Sequence, residues 1–274
     1  MAPIRVALSI AGSDPTGGAG LQLDLQVFRA FGVHGCAVPT ALTVQDTAKV
    51  HSVLPLFPNV ISDQLRVLLR DVPPHAVKLG MLASDDVLRV VVYGLDVLRG
   101  LPVPLVIDPV LRASDGKELL QRRAIPGLRE LIRRCALVTP NLAEAETLCE
   151  RDVSTRAGVE SAAKHLITEL GAGAALVKGG HREGDADDCL AQRSEAGVEV
   201  RWLAGARIHG GEMHGTGCAL SAAIAARLAR GDELPAAVEA ARAFVREGIT
   251  NAQAIGAGRR VLGFSADDKQ AKGS

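Results

Sequence analysis

Residues Ile4–Val44 read IRVALSIAGSDPTGGAGLQLDLQVFRAFGVHGCAVPTALTV. Ile4–Ile10 is a short apolar run that ends at Gly12, the pattern of a strand buried on both faces. Leu21–Phe31 sets Leu21, Leu25 and Phe28 at helical spacing. Cys36–Val44 is apolar and β-branched, so it reads as a second strand. Strand, glycine-rich turn, helix and returning strand form a crossover unit, which joins parallel strands.

The same alternation runs through the chain. Further strands are predicted at Ala76–Leu79, Leu105–Ile107, Leu137–Val138, Ala174–Lys178 and Val198–Leu203. Between and after them, helices are predicted at Val60–Leu69, Val87–Leu98, Leu128–Arg134, Ala143–Leu148, Ala157–Leu170, Gly217–Arg230 and Pro235–Ala252. This order predicts an α/β fold: a central, mainly parallel sheet with helices on both faces. No Pro/Ser-rich linker or repeat interrupts it, so residues 1–266 are expected to form one domain. Asp267–Ser274, DDKQAKGS, is a polar tail expected to fray.

Composition narrows the function classes. The 274 residues are 47% hydrophobic, enough for a large core and too apolar for disorder. Lys plus Arg (31) balances Asp plus Glu (31), which removes the general electrostatic case for nucleic acid or an anionic membrane. Aromatics at 3% argue against base-stacking platforms. The N-terminal apolar run is shorter than the roughly 20 residues of a membrane span and lacks the form of a signal peptide. Five cysteines without a CxxC pair argue against a disulfide framework or zinc knuckle. A reduced, cytoplasmic protein is expected.

In such sheets ligands sit beyond the carboxyl ends of the strands. Polar and glycine residues collect there: Gly12–Gly20, Gln45 after Val44, Gly80-Met81, Asp108-Pro109, Asn141 with Glu144 one turn on, Gly179-Gly180 after Lys178, and His214-Gly215-Thr216-Gly217-Cys218. The last segment opens an Ala-rich helix. Its glycines allow close backbone approach, and a helix N-terminus offers unpaired N–H groups to an anion. A thiol there is expected to have a lowered pKa. A plain helix start over an inert packed Cys218 fits the same letters. Gly17, Gly18 and Gly20 match neither the dinucleotide fingerprint nor a Walker A loop. Asp24 suits a helix first turn. Lys178, directly after a buried strand, favours a phosphate contact. Asp108 and Glu144 read equally as caps, surface acids or holders of a hydrated Mg²⁺. Met81 reads by default as core.

Taken in order, Ser9–Leu25, Gly35–Thr47, Lys78–Leu82, Ile107–Val110, Thr139–Leu148, Val177–His181 and His214–Ala226 resemble the ribokinase-like superfamily. More narrowly they resemble the hydroxymethylpyrimidine/phosphomethylpyrimidine kinases of thiamine biosynthesis. The resemblance implies a three-layer α/β fold, ATP and Mg²⁺, and transfer of a phosphoryl group to a hydroxymethyl group and then to the monophosphate. It implies that Gln45 reads the pyrimidine edge, with Gly12, Asp24, Val44, Met81 and Val110 around the ring. It makes Cys218 the proton acceptor and gives the backbone of Gly215, Thr216, Gly217 and Cys218 the phosphoryl charge. Asn141, Glu144, Lys178, His214 and Gly217 fall on the nucleotide side, with Asp108 and Glu144 toward the metal. It also suggests a homodimer.

The chain departs from the family pattern at Arg112-Ala113-Ser114-Asp115-Gly116, where Lys-Ser-Gly is common. It departs again at Glu212-Met213, where Asn-Thr is usual, and at Asp46, where Asn is common. Three rivals stand beside the leading reading: a pyridoxal kinase on the same scaffold, a non-catalytic pyrimidine-binding regulator and, more distantly, a Rossmann oxidoreductase. Gln45 and Met81 favour the pyrimidine.

Overall fold

The computed structural model describes residues 3–180, 186–208 and 213–264. β1 (Val6–Ser13) runs through the glycine-rich turn into α1 (Gly20–Ala30) and returns as β2 (His34–Gln45). β1 and β2 are parallel, with Val6 opposite His34 and Ile10 opposite Val38. β3 (Val50–Pro55) folds back antiparallel on β2. Then follow α2 (Pro58–Asp71), β4 (Ala76–Leu79), α3 (Asp85–Gly94), β5 (Leu105–Ile107), α4 (Ile125–Ile132), β6 (Leu137–Val138), α5 (Leu142–Cys149), α6 (Arg156–Thr168) and β7 (Ala174–Val177). The antiparallel pair β8 (Asp188–Ser194) and β9 (Gly197–Leu203) extends the sheet. β10 (Met213–His214), α7 (Thr216–Ala229), α8 (Leu234–Thr250) and β11 (Arg260–Val261) complete the described elements.

Among the described residues the sheet has nine strands in the order β3-β2-β1-β4-β5-β6-β7-β8-β9. The strands from β2 to β7 in that order are parallel, and antiparallel strands close both edges. The expected α/β architecture is therefore the observed one. β1 lies between β2 and β4, so successive connections leave it in opposite directions. That switch point opens a crevice at the carboxyl ends of the strands.

Two cores sandwich the sheet. Val77 and Leu79 of β4 pack with Leu65, Leu88, Leu128 and Leu166 from α2, α3, α4 and α6. Ala76 faces the other way, into the core of α1, α7 and α8. Alternation along β4 sends Lys78 to that second face as well. α7 is buried over much of its surface through Ala222, Ala223, Ala225 and Ala226, and these small side chains let it lie close to the sheet.

Boundaries differ from expectation for local reasons. α3 starts at Asp85 because the Ser84 hydroxyl caps it, accepting from the Val87 N–H at 3.2 Å. It ends at Gly94, and Leu95–Leu98 continues only as a 3₁₀ turn. α4 begins at Ile125, with Pro126 in its first turn. β7 stops at Val177, and Lys178 makes a single parallel bridge to Asn141. β3 and β8 were not expected. β3 is half exposed and ends in proline, while β8 buries only Cys189, Leu190 and Ala191 between polar ends. The predicted tail lies outside the described residues.

Candidate active site

A cavity of about 460 Å³ opens at the carboxyl ends of the parallel strands. The head of α7 forms part of its wall. Gly215 is the N-cap residue and has φ +80°. A Cβ there would also stand 1.9 Å from the Gly18 carbonyl oxygen, so only glycine fits. No side chain caps α7, which leaves the N–H groups of its first turn without intrahelical partners. Thr216, Gly217 and Cys218 all border the cavity.

A charged cluster stands beside this helix start. Nζ of Lys178 lies 2.9 Å from Oδ1 of Asp108. A Cβ on Gly217 would come within 3.0 Å of the same ammonium, so the missing side chain is what lets cation and helix head share the wall. Asn141 and Glu144 form a capping box on α5. The Asn141 N–H donates to Glu144 Oε2 at 2.8 Å, and the Glu144 N–H donates to Asn141 Oδ1 at 2.9 Å. The two readings open for Glu144 are thus both met, since it caps a helix and lines the cavity. Burial pushes the Glu144 carboxyl up to about 7; the Lys178 ammonium opposes this and the Asp108 carboxylate adds to it. Burial disfavours the charge on Lys178, but the Asp108 and Glu144 carboxylates outweigh it and raise its pKa.

Asp108 and Glu144 fit a hydrated Mg²⁺. They supply hard oxygen donors, and burial, with the Asp108 carboxylate adding to it, still works against the Glu144 charge despite Lys178, which a cation there would relieve. Among the described residues no group of three His, Cys, Asp or Glu side chains converges as an all-protein metal cage. Mg²⁺ commonly uses one or two carboxylates and keeps water and phosphate oxygens.

The expected thiolate is not found. Burial pushes the Cys218 thiol up to about 11; the Lys78 ammonium opposes the rise, and the Asp108 and Asp24 carboxylates add to it. Desolvation outweighs the Lys78 ammonium and the Gly20 N–H, the two groups that favour the thiolate.

Gly12, Gln45, Met81 and Val110 border the same cavity. A Cβ on Gly12 would meet Sδ of Met81 at 3.0 Å. Met81 packs with Ala41 and Ala83, and Val110 joins that cluster, giving an apolar wall suited to a flat ring. Two other residues expected around the ring are placed elsewhere. The Val44 side chain is exposed and outside the lining, because Thr43 and Gln45 on either side of it point inward. Asp24 is fully buried beneath the cavity wall, where it accepts from Ser9 Oγ at 2.5 Å and from Lys78 Nζ at 2.8 Å. His214, expected on the nucleotide side, lies instead with Gln45 and Asp14: its Nε2 is 2.9 Å from Gln45 Nε2 and 2.8 Å from Asp14 Oδ2.

Sequence reasoning passed over Asp14, Thr43 and Lys78, which also line the cavity. Lys78 carried a usable signal, since a charge inside the four-residue buried strand AVKL requires a buried partner. The departing loop reaches the site too. Arg112, Ala113 and Ser114 border the cavity, and Asp115 ties the loop to β3 by accepting the Val50 N–H at 2.8 Å. His181 and Glu212 lie outside the described residues.

The family described as phosphomethylpyrimidine kinase matches residues 14–262. A hydroxymethylpyrimidine/phosphomethylpyrimidine kinase of Rhizobium meliloti is 41% identical over 258 residues, covering 93% of this chain and 94% of the relative. The crystal structure of a phosphomethylpyrimidine kinase from Clostridium difficile superposes with a TM-score of 0.77 at 34% identity, over 89% of this chain and 99% of that one. An ADP complex of Bacillus subtilis pyridoxal kinase superposes with a TM-score of 0.84 at 30% identity, over 95% and 97%.

Proposed function

The chain belongs to the phosphomethylpyrimidine kinase family, and from that premise we propose how its own residues carry out ATP-dependent phosphorylation of 4-amino-5-hydroxymethyl-2-methylpyrimidine and then of its monophosphate, in thiamine biosynthesis. The observation that carries the reading is that one cavity holds both Gln45 and the uncapped head of α7 with Lys178 beside it. A pyrimidine edge needs a group that both donates and accepts, as an amide does. A phosphoryl group in flight needs fixed positive charge and N–H donors.

In this reading the ring lies on the Gly12–Met81–Val110 wall with Gln45 at its edge. The hydroxymethyl oxygen attacks the terminal phosphorus of ATP, and the bond to ADP breaks. The N–H groups of Gly215–Cys218 and the Lys178 ammonium hold the charge on the phosphoryl oxygens. Asp108 and Glu144 would hold Mg²⁺, which supplies further neutralisation of phosphate charge. The hydroxyl proton passes to Cys218 in its thiolate form. That form is a small fraction near neutral pH, because burial pushes the thiol up to about 11. Proton loss is late in a loose transition state, so positioning and charge stabilisation carry most of the rate.

The residues 1–266 are proposed to act as one kinase domain, and the enzyme as a cytoplasmic homodimer. Exposed Leu42, Val44 and Leu54 on the β2–β3 edge support the dimer, and five free cysteines suit a reducing compartment. No described helix is long and apolar enough to cross a membrane. Pyridoxal is the second substrate to test, because the Bacillus subtilis pyridoxal kinase shares the fold at a TM-score of 0.84.

A coupled ADP-release assay with both compounds, followed by mass analysis for one or two added phosphates, tests the proposal. Two phosphates on the pyrimidine are expected. A clear preference for pyridoxal, or ligand-dependent thermal stabilisation without ADP release, would overturn it.

A further inference from the structure

Gln45, His214 and Asp14 come together from β2, β10 and the turn after β1. Asp14 is 4% exposed. Its carboxylate accepts the Thr16 N–H and hydroxyl, each at 2.9 Å, and faces His214 Nε2 at 2.8 Å. Burial works against its charge, but the hydrogen bonds from His214 and Thr16 outweigh it and hold Asp14 below the ordinary carboxylate range. A carboxylate only accepts, so His214 Nε2 must carry a hydrogen.

That requirement conflicts with the neighbour on the other side. Nε2 of Gln45 stands 2.9 Å from the same imidazole nitrogen, and two N–H donors cannot satisfy each other. Turning the terminal amide by half a revolution leaves its shape unchanged and exchanges oxygen for nitrogen. The carbonyl then faces the imidazole N–H. The NH₂ group then faces Thr43 Oγ1 across the 3.2 Å contact. The Thr43 hydroxyl already donates to the Ser13 carbonyl at 3.0 Å, so its oxygen is able to accept. The single imidazole N–H is then shared by Asp14 and the Gln45 carbonyl in a three-centre hydrogen bond, and no two donors face each other in the chain from Thr16 to Ser13.

We propose that Asp14 and His214 are positioning residues that lock the Gln45 amide with its carbonyl toward the imidazole and its NH₂ toward Thr43 and the cavity, and so select a ring presenting a bare nitrogen beside an exocyclic amine. The second hydrogen of the NH₂ meets the ring nitrogen, and the second lone pair of the carbonyl accepts from the amine. A ring without that donor–acceptor edge leaves the locked amide unpaired. This rests on the pyrimidine reading of the site.

The test is Asp14→Asn. Its amide offers His214 either a donor or an acceptor, so the imidazole takes either tautomer and Gln45 either orientation. The KM for the hydroxymethylpyrimidine should rise about tenfold, and the preference over pyridoxal should fall by a similar factor, with the KM for ATP holding at its wild-type value. Unchanged pyrimidine KM and unchanged preference overturn the proposal. A second measurement needs no variant to fold well: ¹⁵N NMR of the wild-type chain should show a hydrogen on His214 Nε2, and a bare Nε2 overturns the proposal. If the wild-type chain fails to phosphorylate the pyrimidine at all, the substrate assignment falls, while the NMR result still decides the amide lock.

Discussion

Nζ of Lys78 lies 2.8 Å from Oδ2 of Asp24, and neither side chain has any exposed surface. The ammonium is kept charged: burial opposes this, but Asp24, Cys218 and Asp108 together outweigh it and raise its pKa. Removing one member strands the other charge in the core, at a typical cost of 3–5 kcal/mol. Lys78→Met should therefore lower the unfolding free energy by about that much in a urea titration. The double replacement Lys78→Met with Asp24→Leu should recover most of the loss. A double variant as unstable as the single one would contradict the pairing.

The Lys178–Asp108 pair is expected to act on both rate and folding. Lys178→Ala removes a cation from the head of α7 and should reduce kcat about a hundredfold or more; it also leaves Asp108, 2% exposed, without its ammonium, so the melting temperature should fall as well. Steady-state kinetics beside a thermal melt separates the two effects.

Gly217 gives a graded test of the same wall. A methyl group there would crowd the Lys178 ammonium at 3.0 Å, the far end of a flexible side chain. Gly217→Ala should lower kcat moderately, and Gly217→Val should abolish transfer in a folded chain. Full turnover by the valine variant would remove the anion-hole role of this helix.

Cys218 should react slowly with iodoacetamide near neutral pH. The rate should climb with pH along a titration centred near the value of about 11 to which burial pushes this thiol. Cys218→Ser should be weak but not dead as a kinase, because the transfer leans on positioned charge more than on the base. An alkylation profile that levels off below pH 9, or a serine variant with no turnover, would contradict this.

Alkaline stability follows from the other buried thiols. Burial pushes Cys135 and Cys189 up to about 12 and Cys149 to about 11, from an ordinary value of 9.0. The folded state holds these protons more tightly than the unfolded one. Their stabilising effect is therefore complete below pH 9 and is lost as pH rises toward 11–12. Each such thiol removes about 1.4 kcal/mol per pH unit over that window. Melting temperatures should fall steeply above pH 9, and Cys135→Ala should flatten the slope.

Much of this molecule was legible in its letters. The runs at Ile4–Ile10, Ala76–Leu79 and Leu105–Ile107, each followed by glycine or acid, were enough to place a parallel sheet and a ligand site at its carboxyl edge. Strands buried on both faces are continuously apolar, and that pattern is local. Gly215 and Gly217 announced a close backbone approach for the same reason. What sits opposite what was not local. Asp14 and His214 are 200 residues apart, and only the β10–β11 ladder and the turn after β1 bring them to Gln45. The burial that turns Cys218 from an expected thiolate into a thiol comes from how β4, α1 and α7 pack, and desolvation depends on every neighbour at once. Residue type and spacing determined the chemistry available here; tertiary packing decided which groups keep their protons and which way Gln45 faces.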